Sequence, residues 1–220
     1  NFASETAGLG ITGICGSGII EVLAELYLAQ VINSDGVVDG ALSARSPRVI
    51  ADGRTFAYVL HEGKIRILVT QNDVRAIQLA KAALYAGVRL LMDKLNVDSV
   101  DRIRLAGAFG SHIDVKYAMV LGLIPDCRLE NVTSAGNAAG SGAHIALVDR
   151  NSREEIEREI RRIEKIETAV ETRFQEHFVE AMAIPHKSAP FDELAKAVTL
   201  PLRTDVPSDS RSSGRRRRRR

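Results

Sequence analysis

Residues 13–23 read GICGSGIIEVL and place three glycines and one serine within six positions, directly before an apolar helical pattern. Glycine is costly in regular structure because it loses the most conformational freedom when the chain becomes ordered. A chain that clusters glycines before a helix therefore needs its main chain to approach another group closely. The same arrangement recurs in LAGAFGSHID (105–114) and SAGNAAGSGAHIAL (134–147), so one explanation is expected to cover all three clusters.

The first cluster predicts a helix N-terminus with Gly16, Ser17 and Gly18 in its opening turn. Main-chain N–H groups and the helix dipole favour an anion there, and the Ser17 hydroxyl can bind a phosphate oxygen or a metal-bound water. The alternative is a helix that packs closely against a sheet. The cluster matches neither G-x-x-x-x-G-K-[ST] nor G-x-G-x-x-G, so the residues leave both interpretations open.

The second and third clusters each follow a predicted strand. Gly107 and Gly110 come after RIRLA, at the carboxyl end of a strand, where open α/β sheets bind ligands and where bare main chain lets a flat heterocycle pass. A tight strand-to-helix turn is the alternative. In the third cluster, small residues leave one helix face almost bare, which predicts close packing of that helix on a sheet or another helix. Gly136 and Asn137 are expected to lie nearest to any ligand.

The rest of the pattern alternates between strands and helices, which indicates the α/β class. Strands are predicted over residues 54–61, 64–69, 99–107 and 131–136. Helices are predicted over residues 19–29, 71–95, 115–123, 138–149 and 153–182.

Two of these helices carry specific expectations. Thr70 and Asp73 form a T-x-x-D capping box at the start of the helix that ends near Leu95, with Asn96 as a left-handed terminator. Its predicted buried face comprises Val74, Ile77, Leu84, Val88, Leu91 and Leu95. The helix over 153–182 is amphipathic, and its apolar stripe is expected to be buried against the chain's own sheet. That stripe comprises Ile156, Ile160, Ile163, Val170, Phe174 and Phe178.

The composition excludes several function classes. The formal net charge is +2, but residues 211–220 hold seven arginines and no acid, so removing their charge leaves −5 on residues 1–210. A mildly acidic body argues against specific nucleic-acid binding. No apolar run is long enough to span a membrane. Two cysteines, Cys15 and Cys127, are too few for a disulfide scaffold or for an iron–sulfur cluster held within one chain, and they indicate a reducing cytoplasm.

The three clusters, in this order and spacing, resemble the second half of the ASKHA nucleotide-binding fold of acetate and sugar kinases, heat-shock chaperones and actin. Four motifs are similar to the C-terminal region of the reductive activators of corrinoid proteins. They are GICGSGIIEVLAELYLAQVI, VTQNDVRAIQLAKAALYAG, LAGAFGSHIDVKYAMVLGLIPD and GNAAGSGAHIAL. The resemblance implies an actin-like or RNase H-like ATPase lobe, with a mixed sheet flanked by helices. Residues 1–185 are expected to form this lobe, 186–204 an extended arm, and 205–220 a disordered arginine-rich tail.

The resemblance also implies a function. Such activators use ATP and Mg²⁺ to drive an electron onto an inactive Co(II) corrinoid, so the implied partner is a corrinoid protein. The [2Fe–2S] cluster and the magnesium-positioning aspartate belong to regions absent from this chain, which we therefore expect to be a fragment. We consider a homodimer as its assembly and assign no catalytic residue and no metal ligand. The implied phosphate contacts are Gly16, Ser17 and Gly18; the implied adenosine contacts are Gly107, Ala108 and Gly110, with Gly136 and Asn137 in the same pocket.

Three other functions stay open at this point. A small-molecule kinase of the same superfamily would need an acceptor site that the sequence does not display. An activator of a 2-hydroxyacyl-CoA dehydratase would need a cluster shared across a dimer, with Cys15 and Cys127 as its ligands. Cys15 fits better as a partly buried small hydrophobic residue. A non-enzymatic nucleotide-sensing module would use the arginine tail to bind polyanions.

Overall fold

A computed structural model describes residues 4, 5, 8 and 10–202 of the chain, and these residues form mixed α/β structure. The helices are α1 (Gly16–Leu28), α2 (Gln71–Leu95), α3 (Ala108–His112), α4 (Val115–Leu121), α5 (Ala138–Val148), α6 (Arg150–Ile160), α7 (Thr172–Glu180) and α8 (Asp192–Ala197). The strands are β1 (Val49–Asp52), β2 (Thr55–His61), β3 (Ile67–Val69), β4 (Ile103–Ala106) and β5 (Val132–Gly136). Short 3-10 turns occupy Gly40–Ala44, Leu129–Asn131 and Thr168–Val170.

The strands form two separate sheets. β1, β2 and β3 make an antiparallel sheet in that order, so the strands predicted over 54–61 and 64–69 are confirmed, and β1 is a strand that the sequence pattern did not reveal. β4 and β5 pair in parallel, with Ile103 opposite Val132 and Ala106 opposite Gly136. Parallel pairing brings the carboxyl ends of both strands, and the glycine turns that follow them, to one edge of the sheet.

Helix α2 begins and ends as predicted, but its buried face is different. The Thr70 main-chain N–H donates to Asp73 Oδ2 (2.8 Å), the Thr70 hydroxyl oxygen accepts from the Asp73 N–H (3.2 Å), and Asn96 has a φ of 53°. Leu84, Leu91 and Leu95, predicted to be buried, are 50%, 52% and 74% exposed. The buried face does include Val74, as predicted, but it also carries the polar side chains of Gln78 and Lys81, which hydrophobic periodicity cannot identify as core.

Two of those polar side chains bind the main chain of a distant segment. Lys81, 1% exposed, donates through Nζ to the carbonyl oxygens of Ala183 (2.5 Å) and Pro185 (2.8 Å). Gln78 donates through Nε2 to the carbonyl oxygens of Asp35 (3.0 Å) and Met182 (2.8 Å). Since a buried polar group needs a hydrogen-bond partner, these four acceptors allow Gln78 and Lys81 to lie on the inner face of α2 among its apolar residues.

The single helix predicted over 153–182 is wrong. α6 ends at Ile160, residues 161–171 are irregular apart from one 3-10 turn, and α7 begins at Thr172. The apolar stripe is not buried as expected, since Ile160, Ile163 and Val170 are 60%, 73% and 78% exposed. Residues 161–171 contain no glycine or proline, so no local signal marks the interruption.

Helix α7 packs on α2 through a charged cluster. Asp93 accepts from His177 Nε2 (2.6 Å) and pairs with Arg173 (3.0 Å) and Arg89 (3.2 Å). Because these contacts fix the orientation of α7 on α2, α7 does not continue the axis of α6, and the two form separate helices.

Residues 186–202, inside the segment predicted to be an extended arm, include the short helix α8. Phe191 and Leu194 are buried in the core, and the carboxylate of Asp126 accepts from the main-chain N–H groups of Glu193 (2.8 Å) and Leu194 (3.0 Å). The tail over 205–220 lies outside the described residues. Among the described helices, none is both long and apolar enough to cross a bilayer.

Candidate nucleotide-binding site

The three glycine clusters each lie at the beginning of a helix. α1 begins at Gly16, α3 at Ala108 and α5 at Ala138, and the last two follow the parallel strands β4 and β5 directly. The Gly107 N–H donates to the Gly136 carbonyl oxygen (2.8 Å), which joins the second cluster to the third. The main-chain N–H groups of a helix's first turn have no partner within the helix, so each beginning offers donors to an anion.

The first cluster lies against the second. A Cβ atom added to Gly16 would lie 3.3 Å from the ring of Phe109, the second residue of α3. Phe109 itself is 52% exposed, which is unusual for an aromatic side chain. The structure therefore brings all three clusters to one continuous region of the surface.

Two of the predicted site glycines have open space beside them. Gly107 has a φ of +100° and Gly136 a φ of +62°, and a Cβ added to either meets no atom within 4 Å. These left-handed conformations favour glycine, and the bare main chain faces space that a ligand can occupy. Both positions fit close approach of a flat or charged group.

Gly110 is explained differently. A Cβ atom there would lie 3.1 Å from Leu105 Cβ and 3.2 Å from its carbonyl carbon, so the glycine lets α3 pack against β4. Gly18 is similarly close to Ile14 Cγ1, at 3.0 Å. At Gly18 and Gly110 the structure therefore agrees with the alternative interpretation, close packing of the main chain.

The turn before α1 is organised by Cys15. Its Sγ accepts from the Gly18 N–H (3.4 Å) and lies 3.4 Å from Ser17 Oγ, which makes it the N-cap of the helix. The Ser17 hydroxyl and then the Gly18 N–H lower the pKa of the Cys15 thiol. Cys15 is exposed, so its interpretation as a partly buried small hydrophobic residue is wrong.

The turn before α5 is capped by Asn137. Its Oδ1 accepts from the Gly140 N–H (3.0 Å), and a Cβ on Gly140 would overlap the Asn137 side chain. No residue of α5 is buried, and Gly142 has open space beside it, so the close packing predicted for this small-residue helix is absent from the described part of the chain.

Two serines that the sequence reasoning did not select hold the second and third turns together. Ser111 Oγ donates to the Gly107 carbonyl oxygen (3.0 Å) and lies 3.4 Å from Ser134 Oγ. Ser134 Oγ in turn accepts from the Gly136 N–H (3.1 Å). Their presence within the glycine motifs was the available signal, because hydroxyls there can bond to the main chain of the turn.

The chemistry of this region is binding through main-chain N–H groups and hydroxyls. The described residues contain no group of three or more His, Cys, Asp or Glu side chains arranged to hold a metal ion. An anion at the helix beginnings and a flat ring beside Gly107 and Gly136 are the ligands that this surface suits.

A fold of this kind, with glycine turns after parallel strands and before helices, is that of the ASKHA class, and the comparisons agree. The chain belongs to the family described as the C-terminal domain of RACo, the ASKHA domain, whose profile matches residues 3–195. The predicted family and fold class are therefore confirmed.

Two relatives are similar to parts of the chain. The corrinoid activation enzyme RamQ of Eubacterium limosum is 37% identical over 150 residues, which covers 63% of this chain and 25% of that protein. A solved structure described as a reductive activator for corrinoid, iron–sulfur protein has a TM-score of 0.72 and 32% identity, and covers 82% of this chain and 30% of that chain. The chain thus spans about a quarter of the curated relative that it matches.

Proposed function

We propose that this chain is the nucleotide-binding part of an ATP-dependent activator that reduces the Co(II) corrinoid of a partner protein to Co(I). The observation that carries the proposal is the meeting of three helix beginnings around bare glycine main chain, in a member of a family whose relatives activate corrinoid proteins. ATP hydrolysis would supply the free energy for the uphill electron transfer.

The proposed contacts divide between two kinds of group. Gly16, Ser17 and Gly18 are assigned to the phosphates, because α1 begins there and Ser17 adds a hydroxyl. Gly107, Ala108 and Gly110 are assigned to the adenosine side, with Gly136 and Asn137 beside them. Within these sets, Gly107 and Gly136 have the open main chain that contact requires. Gly18 and Gly110 lie close to packed atoms, the Gly18 N–H donates to Cys15 Sγ, and Asn137 caps α5. Positioning and charge stabilisation, rather than proton transfer, are what such residues contribute.

The remaining assignments concern the longer protein and its surroundings. Mg²⁺ and a [2Fe–2S] cluster are proposed to be held by regions outside this chain, because the described residues show no ligand set for either. We place the protein in the cytoplasm, where its two free cysteines stay reduced. A homodimer is our prediction for its assembly, and sedimentation equilibrium measures it.

The nucleotide site is tested with a matched pair of glycine variants. Gly136→Ala and Gly53→Ala both place a methyl at a left-handed position, with φ values of +62° and +59° and no atom within 4 Å of the added Cβ. The backbone strain is therefore the same, but only the first methyl enters the proposed site. By isothermal titration calorimetry we expect Gly136→Ala to weaken ATP binding by about tenfold or more, the value of one lost close contact. Gly53→Ala should leave it unchanged. Equal affinities for both variants would contradict the assignment.

The corrinoid function is tested by exchange into a relative. The matching region of the Eubacterium limosum protein is replaced by this chain, and reduction of a Co(II) corrinoid protein is followed by absorbance with and without ATP. We expect ATP-dependent formation of Co(I), which should need about tenfold more ATP with Gly136→Ala and the same ATP concentration with Gly53→Ala. A folded chimera that binds ATP but never reduces the corrinoid would contradict the proposal.

A further inference from the structure

A second cavity lies away from the glycine turns. It has a volume of about 410 Å³ and lies between the C-terminal half of α2, the segments that precede β4 and β5, and the beginning of α8. Because its lining includes Val100, Asp101 and Asn131, it is at the amino ends of the two parallel strands, whereas the glycine turns follow their carboxyl ends. Its size falls within the roughly 300–1,000 Å³ typical of small-ligand sites.

The cavity has an excess of negative charge. Its lining contains two guanidinium groups, Arg89 and Arg128, and five carboxylates: Asp98, Asp101, Asp126, Asp192 and Glu193. Both guanidinium groups pair with carboxylates outside the lining, Arg89 with Asp93 at 3.2 Å and Arg128 with Glu130 at 3.8 Å. Arg89 also interacts electrostatically with the Tyr85 phenol and Arg128 with Glu193, so five carboxylates face two cations in this lining.

Three of the lining carboxylates are exposed and have no partner among the described residues. Asp126 caps α8 and Glu193 pairs with Lys196, at 2.6 Å. The carboxylates of Asp98, Asp101 and Asp192 form no hydrogen bond or ion pair with other residues in the described part of the chain. They come from two separate segments, so they surround the opening instead of lining one helix.

The interior holds a buried phenol without a partner. Tyr85 is 4% exposed and lines the cavity, with the rings of His186 and Phe191 packed at centroid distances of 4.8 and 6.5 Å. Its hydroxyl makes no hydrogen bond within residues 10–202. Burial raises the pKa of Tyr85, so the group stays a neutral phenol, which can donate one hydrogen bond and accept others. Its oxygen is not among the fully buried polar atoms of the described residues that lack a partner, so it is open to the cavity and available to a ligand there.

We propose that this cavity binds the guanidinium group of an arginine side chain, and that arginines 211–220 of this chain supply it. A guanidinium carries five N–H donors in a plane, enough to reach the phenolic oxygen and the carboxylates together, and it keeps its charge when partly buried. An ammonium group offers three donors at one point and suits this spread of acceptors less well.

The tail is long enough to reach the cavity. Asp192 is at the opening, and Leu202 follows it by the six residues of α8 and five further residues, a contour of at most about 26 Å. The six consecutive arginines, 215–220, begin thirteen residues beyond Leu202, a contour of about 45 Å. The chain can therefore return to the cavity without strain.

The first experiment tests the site itself and does not depend on nucleotide binding. The probe is a hexa-arginine peptide, titrated calorimetrically into the full chain with residues 215–220 changed from Arg to Ser. We expect Asp98→Asn with Asp101→Asn to weaken binding at least tenfold, and Tyr85→Phe about threefold. The control, Glu155→Gln with Glu157→Gln, makes the same charge change at exposed positions of α6 and should alter binding less than twofold. Equal weakening by both double variants, or no binding, would overturn the proposal.

The second experiment identifies the source of the guanidinium. Amide hydrogen exchange is compared between the natural chain and the chain with the serine tail. We expect slower exchange at residues 98–102 and 126–131 with the natural tail, a difference that disappears in the Asp98→Asn, Asp101→Asn variant. Peptide binding without any effect of the natural tail would overturn the intramolecular source. Protection at residues 107–111 or 136–140 instead would overturn the choice of cavity.

Discussion

Lys81 provides the most quantitative prediction, because its ammonium group is buried without a carboxylate. Burial lowers the pKa of Lys81 from 10.5 to about 7. Its two hydrogen-bond partners are carbonyl oxygens, which match the two N–H groups of a neutral amine. The difference between the two pKa values, at roughly 1.4 kcal/mol for each pH unit, corresponds to about 5 kcal/mol.

The sign of the pH dependence follows from proton binding. Between pH 7 and 10 the unfolded chain keeps the Lys81 proton and the folded chain does not, so the free energy of unfolding rises with pH in this window. Below pH 7 the group is protonated in both states and contributes no further dependence. Lys81→Met has no proton to lose, so we expect the stability of the natural chain relative to this variant to increase by about 4 kcal/mol from pH 7 to pH 10.

The assay is urea unfolding of both chains across that pH range. With a slope of about 2 kcal/mol per molar urea, the gap between the two midpoints should change by about 2 M. The control is Lys64→Met, since Lys64 is exposed and hydrated in both states. The difference in urea midpoint between this variant and the natural chain should not change with pH. If the midpoint difference between the natural chain and Lys81→Met stayed constant or fell from pH 7 to pH 10, burial would not be lowering the pKa of Lys81.

Three further predictions use local geometry. Gly122→Ala should lower the free energy of unfolding by about 3 kcal/mol or more, because φ is +73° and the new Cβ would overlap the Pro185 carbonyl oxygen; calorimetric unfolding measures this. Thr70→Ala removes the capping box of α2 and should cost about 1–2 kcal/mol in the same assay, and a smaller loss would mean that the cap contributes little. At neutral pH, iodoacetamide should alkylate Cys15 much faster than Cys127, since the pKa of the exposed Cys15 thiol is lowered and burial raises that of Cys127; equal rates by mass spectrometry would contradict this.

Local signals in the sequence predicted the elements well. The capping box at Thr70 and the left-handed Asn96 each depend on residues a few positions apart, and the structure has both. The face that α2 buries depends on acceptors about a hundred residues away, at Ala183 and Pro185. Periodicity selects leucines for a core, so it could not place Gln78 and Lys81 beside the apolar residues of that face.

Local signals and long-range contacts also contribute differently to the candidate site. Glycine clustering identified the three turns, and their meeting follows from parallel pairing of β4 and β5 together with the contact of Gly16 and Phe109. Glycine clustering in the sequence could not distinguish glycines beside open space, such as Gly107, from glycines needed for packing, such as Gly110. That distinction depends on which atoms lie across the turn, which only the folded chain determines.

The central claim is that three bends of the main chain bind one nucleotide, and amide hydrogen exchange with and without ATP tests it most directly. If the account is correct, ATP slows exchange together at residues 16–18, 107–111 and 136–140, with a common dependence on ATP concentration. Protection of one segment alone, or of none, would contradict it.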